Sequence, residues 1–292
     1  MEQSTEENIK QHIIPWAAIV AVALFLGLWL SGQDISARAA QAFPSSAQWS
    51  ESLPTLSIEW GDTGRKLVES GAIDPEKFEQ LYEERGGLST EERALLYEDS
   101  GAVVVTKENA GVFLNLLWAV GIANENPILF DPDEMMNPVY ANAGSPASGF
   151  ASTGGWTLAH GSAMNHYGKH SIISLTPHQQ KLVDDVSRNI YRPCCNNSTH
   201  FPDCNHGMAM LGLLEILASQ GASEEEMYSA ALAVNSLWFL DAYDTIGAYA
   251  NEKGLLLSPQ EMLSAYYSSA SGFAKVAEQV STLRQGGSSC SA

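Results

Sequence analysis

Five times along this chain a helix-starting residue is followed by the partner that completes it, and this recurrence restricts the fold more than any other feature. Ser89 with Glu92, Thr176 with Gln179, Ser223 with Glu226 and Ser258 with Glu261 each place a hydroxyl three residues ahead of a carboxylate or amide. At that spacing the hydroxyl accepts from the third helical N–H, and the longer side chain reaches back to the cap N–H. Asp74-Pro75 is a fifth start, with a capping carboxylate and proline at the first helical position, where its missing N–H costs nothing. Behind these caps apolar residues recur at helical spacing. Leu182, Val183, Val186 and Ile190 form one stripe; Met227, Ala230, Ala231, Val234, Leu237 and Trp238 form another. Residues 107–123 are apolar nearly all round, which predicts a helix buried on most sides. No stretch alternates over several strands, and Val103-Val104-Val105 is the one short piece with strand character. The expected class is all-α, a helical bundle.

Near the amino end, eighteen residues from Ile13 to Leu30 carry no charge, with Trp16 and Trp29 close to the two ends. At the helical rise this run is about 27 Å long, close to the hydrocarbon thickness of a bilayer. It is longer than the apolar region of a usual signal peptide, although small-residue cleavage patterns follow at Ala37-Arg38-Ala39 and Ala40-Gln41-Ala42. The expected organisation is a tail (1–12), a transmembrane anchor (13–31) and a small, polar tether (32–57) punctuated by Pro44 and Pro54. A helical domain (58–284) and a Gly/Ser tail holding Cys290 (285–292) complete it. With the N-terminus taken as cytoplasmic, the bulk of the chain is expected outside the membrane, periplasmic or at the cell surface.

Fifteen basic against 34 acidic side chains give a formal charge of −19. No excess of Lys and Arg is left to neutralise phosphates, which excludes nucleic acid as a partner. Nine acidic and three basic residues fall in 74–99, as on a solvated helical face able to meet a protein partner. No calcium-loop, phosphate-loop, nucleophile-elbow or H-E-x-x-H pattern occurs.

Two segments break the helical rhythm: 144–172, rich in Gly and Ser, and 191–207. The first holds His160, His166 and His170; the second holds Cys194, Cys195, His200, Cys204 and His206. Long irregular segments inside a helical domain are uncommon and often functional. Three readings of the second stand open. Thiolates and imidazoles are ligands for Zn and Cu(I), and Met208 and Met210 add soft sulfur. On that reading Cys194, Cys195, Cys204 and His206 are the first-choice ligands. His200, His160 and His166 complete the set if the histidine segment folds against the cysteine loop. Alternatively Cys204 closes a disulfide onto Cys194 or Cys195. As a third alternative, Cys204, lying just before a helix from Met208 to Ser219, is an activated thiol for disulfide exchange.

Over 175–240 the order is a capped helix (Leu175-Thr176-Pro177 to Ile190), a cysteine turn (Tyr191-Arg192-Pro193-Cys194-Cys195-Asn196-Asn197-Ser198) and a second helix. Gln220-Gly221-Ala222-Ser223 then opens a third, ending in Trp238-Phe239. This pattern resembles the membrane-anchored thiol-reductase subunit of bacterial cytochrome c maturation, and is similar to extracytoplasmic lipoproteins with PCYCGC motifs. Cys194 and Cys195 stand at the motif position, without the two-residue spacer of the redox C-x-x-C, and Cys204 is additional. The resemblance implies a membrane-tethered helical layout and, at the motif, thiol–disulfide chemistry. The residues themselves favour a membrane-anchored protein that binds Cu or Zn through its Cys/His loop. The alternatives are the oxidoreductase and a non-catalytic tethered module with a structural disulfide.

Overall fold

Every start signal read from the sequence opens a helix. A computed structural model describes residues 55–141 and 144–286, so the apolar run 13–30, most of the tether and Cys290 lie outside the described residues. β1 (Leu56–Glu59) leads into α1 (Thr63–Glu69) and α2 (Pro75–Glu83), whose Asp74 carboxylate accepts from the Glu76 and Lys77 amides. Ser89 and Glu92 form the reciprocal box that opens α3 (Thr90–Tyr97). β2 (Ala102–Val105) and α4 (Ala110–Ala123) follow. Short 3-10 turns and α5 (Ala151–Gly154) carry the chain through the Gly/Ser segment to α6 (Pro177–Ser187). Then come α7 (Asn205–Ser219), α8 (Glu224–Trp238), α9 (Leu240–Lys253), α10 (Pro259–Met262), α11 (Ala265–Ser268) and α12 (Ala270–Gly286). The boxes at Thr176, Ser223 and Ser258 start α6, α8 and α10.

The core is built on the pair α4 and α7, the most extensive helix–helix contact among the described residues. Phe113, Leu116, Leu117 and Ile122 of α4 and Met208, Leu211, Leu213 and Leu214 of α7 are all buried. Burying a side chain of this size stabilises by roughly 1.5–3 kcal/mol. The two backbones meet at glycines. A Cβ on Gly121 would run into the Met208 carbonyl, and one on Gly212 into the Leu117 carbonyl, so the helices approach closer than any side chain permits. α6 and α8 flank α7, and α9 packs on α12.

The fold is mostly helical, with one addition to the all-α expectation. β1 and β2 pair antiparallel, Leu56 opposite Val105 and Glu59 opposite Ala102. Leu56 and Ser57, read from sequence as the end of the tether, are therefore the first half of a strand. Leu56 and Ile58 point into the core while Ser57 and Glu59 face solvent. A four-residue strand is too short to display its alternation, and its pairing partner lies 43 to 49 residues away in sequence, where local pattern cannot see it. Among the described residues no helix is long and apolar enough to cross a membrane.

Candidate metal centre

The cysteine loop between α6 and α7 has little regular structure but is fastened at many points. The Tyr191 amide donates to the Leu263 carbonyl (2.8 Å), Thr199 to Ile190 (2.8 Å) and His200 to Ser187 (3.1 Å). The Ala270 amide donates to the Cys195 carbonyl (2.8 Å), the Ser271 amide to Asn196 Oδ1 (2.9 Å), and the Ser152 amide to Asp203 Oδ1 (3.0 Å). The ends of α6 and α10, the start of α12 and the short α5 thus clamp one loop from several sides.

Arg192 lies at its centre, fully buried. Its Nη1 donates to Thr199 Oγ1 (3.0 Å), and its Nη2 to the Asp203 carbonyl (3.0 Å), the Ser198 carbonyl (3.5 Å) and Cys195 Sγ (3.3 Å). Among the described residues no carboxylate forms an ion pair with it. A buried guanidinium without a counter-ion is costly, and the nearest group able to become an anion is a thiol. Gly207, in the first turn of α7, makes this seat available: a Cβ there would come 2.7 Å from Arg192 Nη2.

Around this cation the loop gathers three sulfurs. Cys194, Cys195 and Cys204 lie within 4.8 Å of one another, with Cys194 exposed and the other two half-buried. Cys194 Sγ and Cys204 Sγ stand 3.2 Å apart as free thiols, so the disulfide expected on one sequence reading is not formed. Cys204 is the N-cap of α7 and makes no side-chain cap bond, which leaves its sulfur beside the positive end of a fifteen-residue helix. Hydrogen bonds from the Cys194 and Cys204 thiols, with the Arg192 charge behind them, hold Cys195 far below the usual thiol range. Cys194 is driven the other way, by its hydrogen bonds to Cys195 and Cys204 and then by burial. The arrangement stabilises one thiolate, on Cys195.

His206, in the first turn of α7, holds Nδ1 3.9 Å from Cys204 Sγ and packs against the rings of Trp238 (5.5 Å) and Phe239 (4.6 Å). Burial, then the Arg192 charge, pushes its pKa down to about 4. The imidazole is therefore neutral at pH 7, the form that ligates metals.

The other histidines proposed as ligands are engaged elsewhere. His200 is buried, with Nε2 2.9 Å from Asp184 Oδ1 and Nδ1 3.5 Å from Glu134 Oε1. His160 is exposed, with Nδ1 3.2 Å from Asp74 Oδ2. His166 is buried against His170 and the His160 carbonyl. None of these three, and not His206 either, has a nitrogen within 4.8 Å of all three sulfurs; His206 is set apart from the others by its 3.9 Å approach to Cys204 Sγ. Met208 and Met210 are buried in the core, where they pack as apolar side chains. Arg192 was the residue missed by the sequence reading. A signal existed: no acidic residue occurs between Asp185 and Asp203, so a cation there has no local partner, whereas Arg188 has Asp184 four residues back.

Fold and site together define a mostly helical protein with a solvent-reached cysteine triad, near enough to hold one metal ion. Comparison with protein-family models, curated proteins and solved structures finds no match to this chain.

Proposed function

We propose that the protein is a membrane-anchored, extracytoplasmic metal-binding protein, with Cys194, Cys195 and Cys204 as sulfur ligands and His206 as the fourth. The observation that carries this reading is the sulfur triad set against a buried, carboxylate-free Arg192. In a tetrahedral zinc site, sulfurs about 2.3 Å and nitrogen about 2.0 Å from the ion lie roughly 3.5–3.8 Å apart. The 3.9 Å between Cys204 Sγ and His206 Nδ1 is close to that spacing. Charge supports Zn2+ over Cu+. Three thiolates and a neutral imidazole around Zn2+ carry one net negative charge, which Arg192 cancels; around Cu+ one negative charge is left over. The Arg192 N–H···S contact is also the kind of outer-shell hydrogen bond that holds a thiolate ligand in place. The anchor rests on the uncharged run 13–30, and the extracytoplasmic side on the default orientation of a single N-terminal span.

The test is elemental analysis of the full chain, purified from membranes under reducing conditions and exchanged with Zn2+. About one zinc per chain, lost on Cys195→Ser, is the expected result. A chain that keeps no zinc and whose thiols remain fully alkylatable in its presence overturns it. Protease treatment of intact cells tests the topology: cleavage of the domain from outside is expected.

The 3.2 Å approach of Cys194 and Cys204 favours a second reading, thiol–disulfide exchange. That chemistry needs an exposed sulfur of lowered pKa. Here the exposed sulfur, Cys194, is the one whose pKa is raised, while the thiolate is half-buried. Metal binding is therefore preferred. A mixed disulfide trapped on Cys194 with a small disulfide probe would reverse the preference.

A further inference from the structure

We infer that His166 and His170 form a second metal site, separate from the cysteine triad, for a borderline divalent ion such as Cu2+ or Zn2+. The inference does not depend on the sulfur site. His166 Nδ1 and His170 Nε2 face each other at 3.0 Å. Two imidazole nitrogens bound to one ion at about 2.0–2.1 Å, at angles between square and tetrahedral, are separated by roughly 2.9–3.4 Å. The pair already has that spacing.

The tautomer is decided on one side. His166 Nε2 lies 2.9 Å from the His160 carbonyl, which can only accept, so Nε2 carries the hydrogen. In the neutral ring Nδ1 is then a lone pair directed at His170. A ligating histidine whose other nitrogen donates to a backbone carbonyl is the usual second-shell arrangement at metal sites, because it fixes both tautomer and ring plane. The backbone is fixed as well. Gly168 donates to the Ile122 carbonyl (2.7 Å), His170 to Ala123 (2.9 Å), and Glu125 back to the His170 carbonyl (2.9 Å), so both histidines are held on the end of α4.

Access and charge agree with occupancy from solvent. His166 is buried and His170 half-buried, so an ion enters from the His170 side and completes its coordination with water. Glu125, whose amide donates to the His170 carbonyl, supplies negative charge beside the pair for a cation. His160 is turned to Asp74 and is not a ligand.

The experiment uses the full chain with all four cysteines changed to Ser, so that sulfur cannot compete. Cu2+ is titrated in and followed by electron paramagnetic resonance and calorimetry. The expected result is one Cu2+ with hyperfine coupling to two imidazole nitrogens, weakened by about tenfold or more on His170→Gln. Glutamine can still donate a hydrogen bond to His166 Nδ1 but provides no imidazole, which separates ligation from a merely structural hydrogen bond. His160→Ala is expected to leave the affinity unchanged. Cu2+ binding that is the same before and after His170→Gln, or no binding at all, overturns the inference.

Discussion

The cysteine loop and the histidine segment start from similar material: both are irregular, and both concentrate metal-binding side chains. They use it in opposite ways. The cysteine loop brings three sulfurs together, one of them against a buried cation, with α7 starting at its last cysteine. The histidine segment distributes its rings: His160 to a carboxylate on α2's cap, His166 and His170 to each other above the end of α4. Donor content alone therefore does not decide which donors meet. Gathering three sulfurs needs a backbone fastened from several sides and a charge that makes anions favourable, and only the cysteine loop has the uncompensated Arg192; the histidine segment brings together two imidazoles, which need no such charge.

The contrast is broken most directly by Cys195→Ser. Zinc per chain is expected to fall from about one to background in elemental analysis, while His160→Ala leaves it unchanged. If His160→Ala also empties the site, the two regions share a ligand and the separation is wrong.

Glu215 sharpens the comparison along α7, the helix that starts in the cysteine loop and passes beneath the histidine segment. It is fully buried, accepts from Asn126 Nδ2 at 2.5 Å, and is pushed up to about 8 by burial, against the opposing effect of the neighbouring Asn126 and Asn124 amides. Asn124 in turn accepts from the Ile173 amide (2.8 Å) and pairs with His170. Between the ordinary carboxyl value of 4.5 and about 8 the folded chain holds a proton that the unfolded chain has released. Stability therefore falls as pH rises through that window, by on the order of 5 kcal/mol at most. Chemical denaturation at pH 5 and pH 8 should show this slope in the wild type and lose most of it in Glu215→Gln. A slope that persists in the variant assigns the effect to other groups.

Arg192→Met tests the charge argument within the cysteine loop. Zinc affinity should drop by about tenfold or more, and the pH midpoint of thiol alkylation should rise, since the thiolate loses its counter-ion. An unchanged midpoint means Arg192 is only a packing element. The smallest effect is expected outside both regions. Ser223→Ala removes the capping hydroxyl of α8 and should cost about 1 kcal/mol by denaturant unfolding, with zinc and Cu2+ binding intact.

Much of the scaffold was legible in the sequence. Caps act within four residues and stripes within two turns, so the starts of α2, α3, α6, α8 and α10 and the buried α4 could be read directly. The three cysteines and His206 were legible as candidates for the same reason that they are rare and clustered. His200, His160 and His166 were not correctly placed, because a donor's worth depends on which neighbour saturates it. For His200 that neighbour is Asp184, sixteen residues earlier; for His160 it is Asp74, across the fold. The β1–β2 pairing was hidden for a related reason, the two halves being short and distant.

The chain by itself thus determined where helices begin, which faces they bury and which residues carry the chemistry, since these depend on short-range sterics, hydrogen bonding and periodicity. Tertiary structure decided the close crossing at Gly121 and Gly212, the seating of Arg192 over Gly207 and the parting of the sulfurs from the imidazoles of His160, His166 and His200. Those outcomes turn on contacts between residues far apart in sequence, where burial sets the cost of a charge and only the folded backbone sets the distance to its partner.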